Sequence, residues 1–203
     1  MNDLEIKKTW DTGSAYDFFA SLLVLHDPGL FGLRASWAAG VRSRLQLDER
    51  QLLDNLIPTI GVPIAWILSL PNSRDASAAL AALEQIPPAE RMFKLSNLLR
   101  LDSQLTQRLN AIAAAGKWQA EDLDALKDAF GPHKAPKEKY LKTYLHACLH
   151  PEITGERLLG ALQSYYKNFF MEEERHLLPL LGQGLAQAQS KGVQMNVQDL
   201  MVE

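Results

Sequence analysis

Residues 158–189, LLGALQSYYKNFFMEEERHLLPLLGQGLAQAQ, carry the longest uninterrupted helical pattern in the chain. At 100° per residue, Leu158, Leu162, Tyr166, Phe169, Leu177 and Leu180 share one face. Glu173 and His176 fall on that face too, with Glu173 near its centre. A carboxylate in an apolar stripe is costly unless it is paired. The stretch therefore predicts a long buried helix, and it asks what Glu173 meets.

Outward from this helix the chain reads as helix after helix. Ser14-Ala15-Tyr16-Asp17 looks like an N-cap with an acidic residue three positions on. It opens AYDFFASLLVLH, which is apolar on nearly every face and so predicts a buried helix. Asp17 and Ser21 are its polar exceptions, about 40° apart on the wheel. A second helix is predicted from Gly32 to Leu45, with Arg34 in the middle of a stripe that holds Trp37, Ala38, Val41 and Leu45. Asp48 caps a third, closed by Pro58. Shorter helices follow from Val62-Pro63 to Pro71, from Ser73 or Asp75 to Ile86, from Ala89 to Leu101, from Asp102 to Ala115 and from Ala120 to Phe130. Gly131 to Lys137 reads as a surface linker. Lys137 to His150 forms the last helix before the long one, which Pro179 should kink. Leu4 to Trp10 reads as a short strand or arm, and Val197 to Glu203 as the start of one more helix. The prediction is all-α, with about nine or ten helices and no internal strand, in one domain spanning residues 1–203. The 70 or so residues after the linker are too few to stand alone.

Composition narrows the function classes. A net charge of -3 and a pI near 6.0 argue against a free-standing nucleic-acid binder, which carries a basic excess. A single cysteine, Cys148, excludes an intrachain disulfide and suits a reducing cytosol. The first residues hold no apolar signal core, and no apolar run reaches the ~18 residues a membrane helix needs. A cytoplasmic location is expected, with no membrane partner.

Chemical motifs are sparse. Glu173-x-x-His176 has the spacing of a di-iron bundle ligand pair, but such a site needs a second copy and two further glutamates, and no second copy exists. His146, Cys148 and His150 invite a metal reading. The wheel instead puts Cys148 with Tyr144 and Leu141, and turns both histidines the other way. No cofactor or metal is therefore expected. There is no Gly-x-Ser-x-Gly elbow and no phosphate-binding glycine loop. Ser36 to Val41 faintly resembles a helix-turn-helix, but its apolar periodicity runs straight through Gly40. Glu173 with His176 as an acid/base pair is the enzymatic alternative. The aromatics, among them Trp37, Tyr166, Phe169 and Phe170, read either as core or as the lining of a small-molecule pocket.

Two segments carry a resemblance. One is Ala15-Tyr-Asp-Phe-Phe-Ala-Ser-Leu-Leu-Val-Leu-His-Asp-Pro28, running into Phe31-Gly-Leu-Arg-Ala-Ser-Trp-Ala-Ala-Gly-Val-Arg-Ser-Arg-Leu45. The other is Ala161-Leu-Gln-Ser-Tyr-Tyr-Lys-Asn-Phe-Phe-Met-Glu-Glu-Glu-Arg175. Together they resemble the N-terminal helical domain of a group of bacterial ArsR-type transcriptional regulators. The resemblance implies a non-catalytic regulatory domain that senses a small ligand or mediates homodimerisation. In that group a winged helix-turn-helix follows, and this chain ends at Glu203, about where the linker to it begins. DNA contact is thus expected only through such a module and not from these residues. The expected ligand-binding residues are Arg34, Trp37, Tyr166, Glu173 and His176. Arg34 and Glu173, the two charges on apolar faces, are further expected to form an ion pair within ~4 Å, either purely structural or also flooring a pocket.

Overall fold

A computed structural model describes residues 11–71, 74–96, 103–131 and 134–192. Among them every regular element is helical. They are α1 (Ser14–His26), a short 3-10 turn (Pro28–Phe31), α2 (Ala35–Arg42), α3 (Leu47–Ile60), α4 (Ile64–Leu68) and α5 (Ala76–Glu84). Then come α6 (Pro88–Leu95), α7 (Ser103–Ala115), α8 (Ala120–Ala129), α9 (Glu138–Cys148), α10 (Pro151–Tyr165) and α11 (Met171–Gly192). The predicted N-terminal strand and C-terminal helix lie outside the described residues. No helix among those described is long and apolar enough to cross a membrane.

The long helix is the axis of the fold, and it is longer than the sequence pattern indicated. α10 and α11 are joined by a π-helical segment, Tyr166–Phe170, so that the chain coils without a break from Pro151 to Gly192. Pro151 occupies the first turn of α10, where a missing N–H costs nothing. α10 packs against α6, α3 and α5, and α9 packs against α3, α7 and α8. The elements after the 131–137 linker therefore complete the core of the elements before it. Gly155 marks the tightest approach: a Cβ there would lie 1.8 Å from the carbonyl oxygen of Pro88, so only glycine lets α10 seat on the start of α6.

Several local expectations shift. α3 runs through Pro58 and ends at Gly61, whose φ of 70° suits a residue without a side chain. Its N-cap is Gln46 rather than Asp48, with the Glu49 carboxylate accepting the Gln46 backbone N–H at 3.1 Å. Ser164 of α10 also donates to Glu49, at 2.8 Å. The second helix is shorter than predicted because the 3-10 turn takes Pro28–Phe31 and leaves Leu33 and Arg34 outside α2. Arg91 is a buried cation that the apolar pattern did not flag. It donates to the carbonyls of Ile86 at 2.9 Å and Glu84 at 3.1 Å, covering the C-terminal end of α5, and lies 3.2 Å from Glu156.

Candidate functional site

α1 buries Ala15, Phe18, Phe19, Leu22 and Leu25. Its other face, Asp17, Ala20, Ser21 and Val24, follows the i, i+3, i+4, i+7 spacing of a single helix side. That face forms one wall of a cleft of about 290 Å³. Leu33 and Trp37 form the second wall, and Phe169, Phe170, Glu173 and Leu177 the third. The all-round apolar character of α1 thus has two causes: one side is core, and the other fronts the cleft.

The third wall exists because of the π segment. One extra residue in a helical turn rotates everything after it by about 100° relative to a continuous α-helix. Glu174, 100° round the ideal wheel from Glu173 and so off the apolar stripe, comes round into the interior and is 6% exposed. Glu173 moves to the opposite edge, is exposed, and lines the cleft. The inward carboxylate of this helix is therefore Glu174 and not Glu173.

Glu174 is held by donors from three elements. The Ser14 hydroxyl donates to its Oε1, the Ala76 N–H to the same oxygen at 3.0 Å, and the Tyr166 hydroxyl to Oε2 at 2.6 Å. Ser14 Oγ in turn accepts the Ala76 N–H at 2.9 Å. Ser14 consequently does not cap its own helix; its side chain is turned across to α5 and α11. Burial, then the bond to Glu174 and its charge, push the Tyr166 phenol up to about 12.

The predicted pair between Arg34 and Glu173 does not form. Arg34 is exposed, its backbone extended at φ -71° and ψ 138°, and among the described residues neither it nor Glu173 enters an ion pair. The wheel that placed Arg34 on the α2 stripe does not apply to a residue ahead of the helix. Of the five expected ligand-binding residues, Trp37 and Glu173 line the cleft. Tyr166 belongs to the Glu174 cluster, and Arg34 and His176 are exposed outside the cleft lining. Glu173 and His176 thus do not share a pocket as an acid/base pair would.

Asp17, Ser21 and Phe170 join the cleft only in three dimensions, although the 40° spacing of Asp17 and Ser21 was legible as a polar seam on an apolar helix. Ser21 donates to the Phe18 carbonyl at 2.7 Å, so the Tyr165 hydroxyl, 2.9 Å away, donates to Ser21. Burial raises the Asp17 carboxyl above its ordinary value, and a bond from its own backbone N–H offsets this only in part. Trp37 meets Phe169 edge-on, with centroids 6.1 Å apart. The Arg44 guanidinium sits 5.9 Å from the centre of the Phe169 ring.

Cys148 is fully buried, and His146 packs edge-on against Trp118. Among the described residues no three His, Cys, Asp or Glu side chains are placed to hold a metal ion. Another, more polar hollow of about 380 Å³ lies between α1, α2, α3 and α9, lined by His26, Arg42, Asp54 and Tyr140 among others.

Fold and cleft together define an all-α domain with a small, aromatic-walled, acidic cleft against a π-bulged helix. Nothing narrower comes from comparison: no family model, no curated protein and no solved structure matches the chain.

Proposed function

We propose that this chain is a non-catalytic sensing domain that takes a small ligand in the cleft between α1, α2 and the long helix. One observation carries the reading. The cleft's third wall straddles the π segment and the first turns of α11, so an occupant bears directly on the element whose later turns extend away from the core. π-bulges inside α-helices are frequent at functional sites. A ligand that prefers one packing of α11 shifts the population towards it, and the rest of the helix carries the change. The cleft is at the small end of ligand pockets, which run from about 300 to 1,000 Å³. The resemblance to ArsR-type regulators fits such a role, with a winged helix after α11 as the expected output.

A fragment screen by amide and indole NMR is the test. Binders should move the Trp37 indole signal and the amides of Ala20, Ser21, Glu173 and Leu177 together. A folded protein in which no fragment perturbs that set would overturn the reading. A second reading, a homodimerisation module, rests on the apolar side chains left outside: Leu30 is 77% exposed and Leu180 62%. Light scattering over a hundredfold concentration range distinguishes it, since a mass that stays monomeric removes it.

A further inference from the structure

The cleft's own chemistry narrows what it takes, on the footing that it is the sensing site proposed above. Its ten lining residues include two carboxylates, Asp17 and Glu173, and no cation. Among the described residues neither carboxylate enters an ion pair. They stand on different helices, α1 and α11, so the negative charge comes from two walls. The rest of the lining, Ser21 apart, is Ala20, Val24, Leu33, Leu177 and the rings of Trp37, Phe169 and Phe170. An unpaired carboxylate beside apolar surface is disfavoured until a positive charge arrives. Asp17 feels this already, since its half-buried carboxyl is raised by loss of solvent.

We propose that the cleft binds an organic cation, an alkyl- or arylammonium, with Asp17 and Glu173 neutralising its charge and Trp37 lying against its apolar part. Each alternative fails on a specific feature. An anion would meet two like charges and no donor cation. A bare metal ion needs a shell of oxygen or nitrogen ligands, and apolar walls cannot complete one around two carboxylates, while the Ser21 hydroxyl is already engaged with Phe18 and Tyr165. A neutral apolar molecule would leave both carboxylates facing it without compensation. An ammonium bearing carbon groups suits both halves of the lining, because aromatic faces attract cations and the indole of tryptophan does so most strongly. The Arg44 guanidinium near Phe169 shows the same preference on this wall, and Arg44 is outside the cleft lining.

Calorimetric titration with benzyltrimethylammonium, its neutral isostere neopentylbenzene, and benzoate tests this, with the amide and indole NMR signals locating the site. The cation should bind at least tenfold more tightly than either other probe and move the Trp37 indole together with Asp17 and Glu173. Its affinity should fall with added salt. Asp17→Asn with Glu173→Gln should weaken the cation at least tenfold and leave neopentylbenzene unchanged. Both substitutions are compatible with folding, since Glu173 is exposed and Asp17 loses a half-buried charge; circular dichroism checks this. If neopentylbenzene binds the cleft as tightly as the cation, the cation proposal is wrong and the sensing reading stands. If no probe of any charge perturbs the cleft of the folded protein, this proposal falls, and the sensing reading then rests on the fragment screen alone. If the double variant keeps the cation's affinity, the assigned carboxylates are wrong.

Discussion

Glu174 and Glu173 are neighbours of identical chemistry with opposite fates. Glu174 is enclosed with the Ser14 hydroxyl, the Tyr166 hydroxyl and the Ala76 N–H. It sits at the N-terminal end of α5, where a negative charge is favoured. Removing it takes the acceptor from the Ser14 and Tyr166 hydroxyls, while the Ala76 N–H keeps Ser14 Oγ, so Glu174→Ala should cost about 2 kcal/mol in urea unfolding. Glu174→Gln keeps one acceptor oxygen and should cost about 1 kcal/mol. Glu173→Ala removes an exposed side chain and should stay within about 0.5 kcal/mol. Equal losses at 173 and 174 would contradict the burial assigned to each. His26 supplies a pH term. Burial lowers its pKa from the ordinary 6.5; Asp54 opposes the shift and Arg42 adds to it. The unfolded chain then binds the proton more tightly, so stability declines as pH falls through about 6.5 and on towards the folded value. Asp17, whose pKa is raised, bends the curve the other way at lower pH. His26→Gln should flatten the decline between pH 7.5 and 5; an unchanged slope in urea titrations at those pH values would remove His26 as its source.

The π segment is the element on which the site depends. It behaves as a one-residue insertion absorbed by a single wide turn. Deleting Lys167, exposed and within the segment, should therefore restore a plain α-helix and leave Glu174 inward. Deleting Gly160, equally exposed but inside α10, should turn one half of the buried face away from the core. Melting temperatures should rank wild type close to the Lys167 deletion and far above the Gly160 deletion; the reverse order would mean that the segment is not an insertion. The periodicity of 158–189 showed the helix clearly, because burial on one side of a coil leaves a 3.6-residue signature. It could not show the wide turn. Tyr165, Tyr166, Phe169 and Phe170 are aromatic at both phases, so the composition of the segment supports either register, and packing of Phe170 against Phe18, with ring centroids 5.2 Å apart, marks the one adopted.

Across the whole molecule, the linker at 131–137 divides the sequence but not the core. α9 and α10 pack on α3, α6 and α7, and Tyr144, Leu145, Leu158, Leu162 and Tyr165 are fully buried there. A fragment of residues 134–192 should be largely unfolded alone by circular dichroism, and the intact chain should melt in one transition seen alike by near- and far-ultraviolet signals. A folded, independently melting fragment would contradict the single core. The sequence by itself determined the all-α class, the main helices and the buried face of the long one as far as the π segment; beyond it Leu180 and His176, placed on that face, are exposed. It did so because apolar spacing and proline or glycine stops act locally. It also showed Trp37 and Glu173 as residues out of the ordinary, and Asp17 with Ser21 as a polar seam. Only the tertiary structure decided that Arg34 lies exposed ahead of α2, that Glu174 is the enclosed carboxylate, and that Asp17, Trp37 and Glu173 face one cleft. Those outcomes turn on where a helix begins and on a single inserted residue, a rotation of about 100° that a uniform helical wheel cannot contain.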